Sequence, residues 1–291
     1  MRLLFVTNGH GEVAIADRIA RELAAIEPAA QLDHLALVSG TPSERMRDVG
    51  PRRRMPSGGL IAMGNLRNIG RDLRAGLAGL TLAQYRFLRG ARGSYDVAVA
   101  VGDAYALAMT LQTRAPSVFV GTAKSVAVAP YGPFEERLLR RAAATFVRDE
   151  ATEVRLRQRG VPVEPAANVI VDLIASPAAG EIEKAVAGFV PALALFPGSR
   201  ESAYDDAGLL LDVTRAIASE SPALGGVLSI APGLDAGRFA ETARGEGWEV
   251  EITGDPDVPF VLSRDGREVV RGWSGALGPL VARVTLVLGQ A

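Results

Sequence analysis

The chain has no cysteine and only two histidines, His10 and His34. A disulfide framework and a thiolate metal site are therefore excluded, and two imidazoles do not make a histidine-rich metal centre. Freedom from cysteine fits a reducing compartment. Lysine occurs only at Lys124 and Lys184 among 32 cationic side chains, so arginine supplies the rest. That skew, with the abundant alanine, reads as a GC-rich genome habit. The net charge of −1 gives no global drive toward nucleic acid. Long apolar runs are missing too. Leu3-Leu4-Phe5-Val6 stops at Asn8-Gly9, too short for a signal core, and other apolar stretches are broken by Arg, Asp or Gly. No export signal or spanning helix is expected, and the expected location is cytoplasmic.

What is present is globular. The 291 residues suit two domains, with 48% hydrophobic and 22% charged residues. Short apolar runs alternate with amphipathic ones. Leu3–Thr7 reads as a buried strand, and Val13–Ile26 follows as a helix with Ile15, Ile19, Leu23 and Ile26 on one stripe. Further strands are expected at Leu35–Val38, Tyr95–Val101, Ser117–Val120, Thr145–Val147 and Val161–Val163. After Asp172 the composition loosens into Ala175-Ser176-Pro177-Ala178-Ala179-Gly180, a linker signature. A second alternation begins at Ala192–Phe196 and recurs at Gly226–Ile230, Trp248–Ile252, Phe260–Leu262 and Val284–Leu288. The expected fold is α/β: two Rossmann-like doubly wound parallel-sheet domains facing a cleft. They span 1–174 and 190–291, joined by a linker at 175–189. Because the sequence stops soon after Leu288, the second domain is expected to be incomplete.

Three stretches can carry chemistry. Asn8-Gly9-His10-Gly11-Glu12 lies between the first strand and the first helix, where free N–H groups meet an anion or a polar sugar. Glu12 can cap the helix or accept from substrate hydroxyls. Pro197-Gly198-Ser199-Arg200-Glu201 opens the first helix of the second domain. There Gly198 permits close approach, Ser199 reads as an N-cap and Arg200 can grip a diphosphate. Asp103, after Val101-Gly102, reads equally as a general base toward a hydroxyl and as the N-cap of the helix that follows. Asp255-Pro256-Asp257 imitates a metal pair but reads as a turn, so no metal site is expected. His34 reads as plain surface, and Asp205-Asp206 as an exposed first helical turn.

Arg45–Arg92 carries eleven arginines against Asp48 and Asp72, interleaved with apolar residues. Such a stretch can lie on an anionic membrane, with Arg52, Arg53, Arg54, Arg67, Arg71 and Arg74 facing it, or can be a core helix with a solvated face.

The opening Asn8-Gly9-His10-Gly11-Glu12, the Pro197-Gly198-Ser199-Arg200 motif and Asn168-Val169-Ile170-Val171-Asp172 resemble the lipid-A-disaccharide synthase-related proteins. These are glycosyltransferases of the GT-B fold. The resemblance implies transfer of a sugar from a UDP-sugar to a lipid-linked or saccharide acceptor at the inner membrane face. It makes Asp103 and Glu12 the catalytic carboxylates and Asn8, Gly9, His10 and Gly11 substrate-binding. Gly198, Ser199, Arg200 and Glu201 become nucleotide-binding, with no cofactor beyond the UDP-sugar as substrate. Departures accompany it. The second carboxylate of the family's opening loop is missing, and Gly102-Asp103-Ala104-Tyr105 keeps only part of the base motif. The sequence also stops where relatives continue into a donor-holding loop. A nucleotide-sugar 2-epimerase and a degenerate sugar-nucleotide-binding pair are the alternatives. The sequence carries no signal of oligomeric state.

Overall fold

The computed structural model describes residues 1–37, 42–53, 74, 76–174, 182–199, 201–231, 233–275 and 277–289, without the side chains of His10 and Ile174. The chain divides into two compact units, Met1–Leu173 and Ile174–Ala291.

The first unit holds six parallel strands: β1 (Arg2–Thr7), β2 (Gln31–Ala36), β3 (Arg47–Asp48), β4 (Val97–Gly102), β5 (Ser117–Gly121) and β6 (Ala144–Phe146). Their order is β3-β2-β1-β4-β5-β6. The chain winds outward in one direction from β1 and then returns to start again at β4, so the topological switch point lies between β1 and β4. Alternation of side chains splits the core into two faces. Leu4, Val6, Leu35, Ala98 and Ala100 pack with Leu88, Leu107 and Phe119 on one face, while Leu3, Phe5, Val99 and Val101 pack with Ile15, Ala16 and Ala20 on the other. The helices are α1 (His10–Ile26), α2 (Leu77–Gly90), α3 (Ala104–Thr110), α4 (Pro133–Leu139), α5 (Glu150–Gln158) and α6 (Val169–Ile174).

In the second unit α7 (Glu183–Val186) precedes β7 (Ala192–Phe196), α8 (Ala203–Glu220), β8 (Gly225–Ser229), α9 (Ala236–Gly245) and β9 (Glu249–Ile252). The unit continues with β10 (Phe260–Arg264), β11 (Arg267–Trp273), α10 (Leu277–Arg283) and β12 (Leu286–Gly289). The order is β12-β7-β8-β11-β10-β9. Strands β12, β7, β8 and β11 are parallel, whereas β10 runs antiparallel to both neighbours. Two six-stranded, predominantly parallel α/β sheets make this a GT-B-type pair of Rossmann-like units.

Several elements differ from the sequence expectation, among them β2, which starts at Gln31 and not at Leu35, and β3, a short strand inside the arginine-rich stretch where none was expected. Val161–Val163 forms no strand and contributes only a bridge from Thr145 to Val163. The strand β11 was not expected at all, and with β10 it makes an antiparallel hairpin inside a sheet expected to be parallel. Its two-residue turn is Asp265-Gly266, with φ of 52° and 69°. That left-handed pair closes a tight hairpin whose flanking residues, Arg264 and Arg267, are register partners. Finally, α1 begins at His10, three residues earlier than its apolar stripe suggests.

Candidate functional site

The carboxyl ends of β1 and β4 bring together the residues that the sequence singled out in the first unit. Gly9 takes the N-cap position of α1, with φ −141° and ψ 175°, so His10, Gly11 and Glu12 form its first turn. This backbone is extended, so it does not demand glycine; a Cβ on Gly9 would stand 2.3 Å from Glu12 Oε2, the free end of a flexible side chain that would have to shift. Glu12 also reaches β4, since a Cβ on Gly102 would lie 2.9 Å from Glu12 Cγ. Gly102 has φ +125°, a conformation open to glycine. The Glu12 side chain thus nests between Gly9, the N-cap just past β1, and Gly102, which ends β4. Gly11 has open space around it and meets no such demand.

Asp103 follows directly. Its Oδ1 accepts from the Ala106 backbone N–H at 2.9 Å, making it the N-cap of α3, and its Oδ2 accepts from Asn8 Nδ2 at 2.8 Å. Asp103 is therefore the N-cap of α3, and its carboxylate stands at the strand ends beside the loop. Asn8 is buried, and its Oδ1 finds no donor among the described residues. Two carboxylates and an amide oxygen converge here, an arrangement that accepts hydrogen bonds from hydroxyls and disfavours an anion despite the helix N-terminus.

Sequence reasoning missed the neighbours supplied by β5. The buried Tyr131 ring lies over the end of that strand, where a Cβ on Gly121 would stand 2.4 Å from its hydroxyl. Burial raises the Tyr131 hydroxyl pKa, and the Glu135, Asp103 and Asp149 carboxylates raise it further, so it stays a neutral donor. Lys124 pairs with Glu135 at 2.7 Å, with its ammonium 5.7 Å from the Tyr131 ring centroid. The available signal was position alone: Gly121-Thr122 follows an expected strand on the same sheet edge.

In the second unit Gly198 follows β7 with φ +105°, exposed, and among the described residues nothing lies near an added Cβ. Ser199 is exposed but does not cap. The helix α8 starts at Ala203, and its N-cap position is Ser202, without a side-chain cap bond. The Pro-Gly-Ser sequence imitates a cap because a turn precedes the helix. Arg200 lies outside the described residues. Glu201 pairs with Arg238 at 2.7 Å, whose guanidinium stacks 3.8 Å from the Tyr204 ring centroid. Tyr204 in turn accepts from the Asp235 N–H at 2.9 Å, tying the start of α8 to the start of α9. This bracket sits at the carboxyl ends of β7 and β8.

A pocket of about 320 Å³ lies at the opposite edge of that sheet, lined by Arg215, Trp248, Arg264 and Arg267. Each of its guanidiniums donates to backbone carbonyls: Glu246, Gly247, or Pro222 with Ala218. They complement the negative ends of α8 and α9. This pocket is a helix-end cap rather than a site.

Other expectations resolve individually. Arg52 is engaged with Asp48, Arg53 Nη1 lies near Gly76, and Arg74 is exposed. Arg54, Arg67 and Arg71 lie outside the described residues, as does the His10 side chain. Asp255 and Asp257 form a turn, with Asp255 Oδ1 accepting from the Asp257 N–H. Asp205 is exposed on the first turn of α8. His34 is the clear correction. It is fully buried on β2, not surface, because Thr7 and Asp48 satisfy both ring nitrogens. Among the described residues no helix is long and apolar enough to cross a membrane.

No protein-family model and no curated protein matches the chain. Solved structures do. The S. aureus MnaA–UDP co-structure matches with a TM-score of 0.63 at 10% identity, over 100% of this chain and 74% of that one. UDP-GlcNAc 2-epimerase from Neisseria meningitidis bound to UDP-GlcNAc matches with a TM-score of 0.54 at 11% identity, over 100% and 78%. Glycyrrhiza uralensis UGT73P12, complexed with glycyrrhetinic acid 3-O-monoglucuronide, matches with a TM-score of 0.52 at 10% identity, over 99% and 72%. At such identities the likeness establishes the fold.

Proposed function

We propose that this chain is a glycosyltransferase moving a hexose from a UDP-sugar to a hydroxyl of a saccharide or lipid-linked acceptor, in the manner of the lipid A disaccharide synthases. The observation that carries the reading is the acceptor-rich cluster of Asn8, Glu12 and Asp103 at the switch point of the first sheet. Open α/β sheets bind ligands there, and this cluster suits hydroxyl donors. In the proposed step Asp103 takes the acceptor hydroxyl proton while that oxygen bonds to the sugar C1. The C1–phosphate bond breaks, and its electron pair leaves on the UDP. Asn8 and Glu12 orient the hydroxyls. In the second unit, the backbone of Gly198 and Ser199 and the Arg200 guanidinium receive the diphosphate charge. Arg53 and Arg74 belong to the stretch proposed to rest on an anionic membrane surface that holds a lipid acceptor.

Solved structures that share the fold include a UDP-GlcNAc 2-epimerase, which keeps epimerisation as the second reading. That reaction turns over UDP-GlcNAc without an acceptor, whereas transfer requires one. Calorimetric titration of UDP tests the nucleotide assignment. Binding to wild type is expected, with affinity falling about tenfold, roughly 1.4 kcal/mol, in Gly198→Ala. The added methyl meets open space, so the loss would come from a φ that alanine resists. Equal affinity in both proteins would refute the placement, and absence of UDP binding would refute the function.

A further inference from the structure

His34 is entirely buried, yet it sits in an unbroken polar chain. Its Nδ1 is 2.9 Å from Asp48 Oδ1, and its Nε2 is 2.9 Å from Thr7 Oγ1. A carboxylate only accepts, so Nδ1 carries the proton, and Nε2 accepts from the Thr7 hydroxyl. Asp48 also receives Arg52 and the Ser43 N–H. From α1, Asp17 accepts from the Ser43 hydroxyl at 2.5 Å and from the Glu44 N–H at 3.1 Å. The Ser43 hydroxyl oxygen accepts from the Arg45 and Met46 N–H groups. The His34 imidazole of β2 thus joins β1 through Thr7 and β3 through Asp48, and α1 holds the start of the arginine-rich stretch through Asp17. Thr7 is the residue before Asn8, whose amide holds Asp103.

We propose that Thr7, His34 and Asp48 form an acid-sensitive clasp, which at neutral pH fastens the segment of residues 42–53 to the sheet and steadies the strand end bearing Asn8. The proposal is independent of which reaction the site performs.

A proton on Nε2 has nowhere to go without rearrangement. The Thr7 hydroxyl must turn from donor to acceptor in a site with no solvent exposure. The new cation must also share the Asp48 carboxylate with Arg52. The charged groups facing His34 are Asp48 and Arg52 on and after β3 and Asp17 on α1. Burial lowers the His34 pKa, and the Asp48 and Asp17 carboxylates offset this only in part. Burial alone would raise Asp48, but hydrogen bonds from His34, Arg52 and Ser43 hold it below the usual carboxylate range, so it stays charged through the transition. The sign follows. A histidine with a lowered folded pKa favours the closed form at neutral pH, and that preference is lost as pH falls below about 6.5.

Hydrogen exchange of the full chain between pH 7.5 and 5.5, corrected for intrinsic rates, tests the clasp. Protection of the Ser43, Met46 and Val49 amides should fall in wild type, by at most about tenfold, the limit set by the pH span between an ordinary histidine pKa of about 6.5 and 5.5. Their acceptors are Asp48, Ser43 and the His34 carbonyl. His34→Gln, which cannot titrate, should give a flat profile. Thr7→Val removes the donor that stabilises neutral His34, so the closed form takes up a proton more readily and protection should fall less between pH 7.5 and 5.5 than in wild type; this variant decides the matter if His34→Gln does not fold. Constant wild-type protection, an equal loss in His34→Gln, or an undiminished fall in Thr7→Val would overturn the proposal.

Discussion

Asp103→Asn is expected to lower turnover by about 10²- to 10⁴-fold, the usual contribution of a positioned general base, with little change in stability. Asparagine caps a helix about as well as aspartate, so the Ala106 N–H keeps its acceptor. The new amide nitrogen would face Asn8 Nδ2. Asn8 can resolve this by rotating its amide, because its Oδ1 has no donor among the described residues and would then accept. Geometry is thereby retained while the proton acceptor is lost. The measurement is UDP release from a UDP-hexose in the presence of acceptor, alongside a thermal melt and a UDP titration. An unchanged melt and affinity with collapsed turnover supports the role. Full activity in the variant would leave Asp103 as a helix cap and nothing more.

Asp33→Ala is expected to destabilise the fold by about 3 kcal/mol at pH 7, in the range for breaking a buried charge cluster. Asp33 is 1% exposed on β2. It accepts a bidentate contact from Arg47 at 2.8 and 3.0 Å, a bond from Arg2 at 3.2 Å and one from the Tyr95 hydroxyl at 2.9 Å. Arg47 is largely exposed and would return to water, so most of the loss falls on Tyr95 and Arg2, which remain partly covered. The Tyr95 pKa is pushed up to about 12, first by burial and then by its bond to Asp33. For Asp33 burial acts upward, but Arg47, Tyr95 and Arg2 together hold its pKa below the ordinary 3.8. A lowered carboxylate contributes stability that is present above pH ~3.9 and lost as pH falls through the folded value. Urea titrations of wild type and variant should therefore differ at pH 7 and draw together as pH falls below the ordinary carboxylate range. A gap that does not change with pH would show that the loss is packing and not charge.

Legibility from sequence followed the range of the contacts. The first strand, its glycines and α1 were readable because apolar periodicity and a Gly pair are local signals. So was Asp103, placed at a strand end by the five apolar residues of Val97–Val101 before it. Asp33 and His34 were not readable. Each is a polar residue in a run taken as the approach to a strand, and its partners lie 14 or more residues away. Glu12 was seen as a capping or hydroxyl-binding carboxylate, but its seat between Gly9 and Gly102 depends on two strands that pair far apart in sequence. Strand β11 was hidden by Arg267, Glu268 and Arg271, although the Asp265-Gly266 turn that announces it was in plain view. Ser199 misled because Pro-Gly-Ser carries the composition of a cap three residues before the cap position.

The account rests on nucleotide-sugar binding at the carboxyl ends of the second sheet. Hydrogen exchange with and without saturating UDP tests it most directly. New protection is expected at residues 197–203 and 231–238, which follow β7 and β8 and carry the Glu201–Arg238 pair. No change should appear at the arginine-lined edge around Trp248 and Arg267. Protection confined to that opposite edge, or none anywhere in the chain, would contradict it.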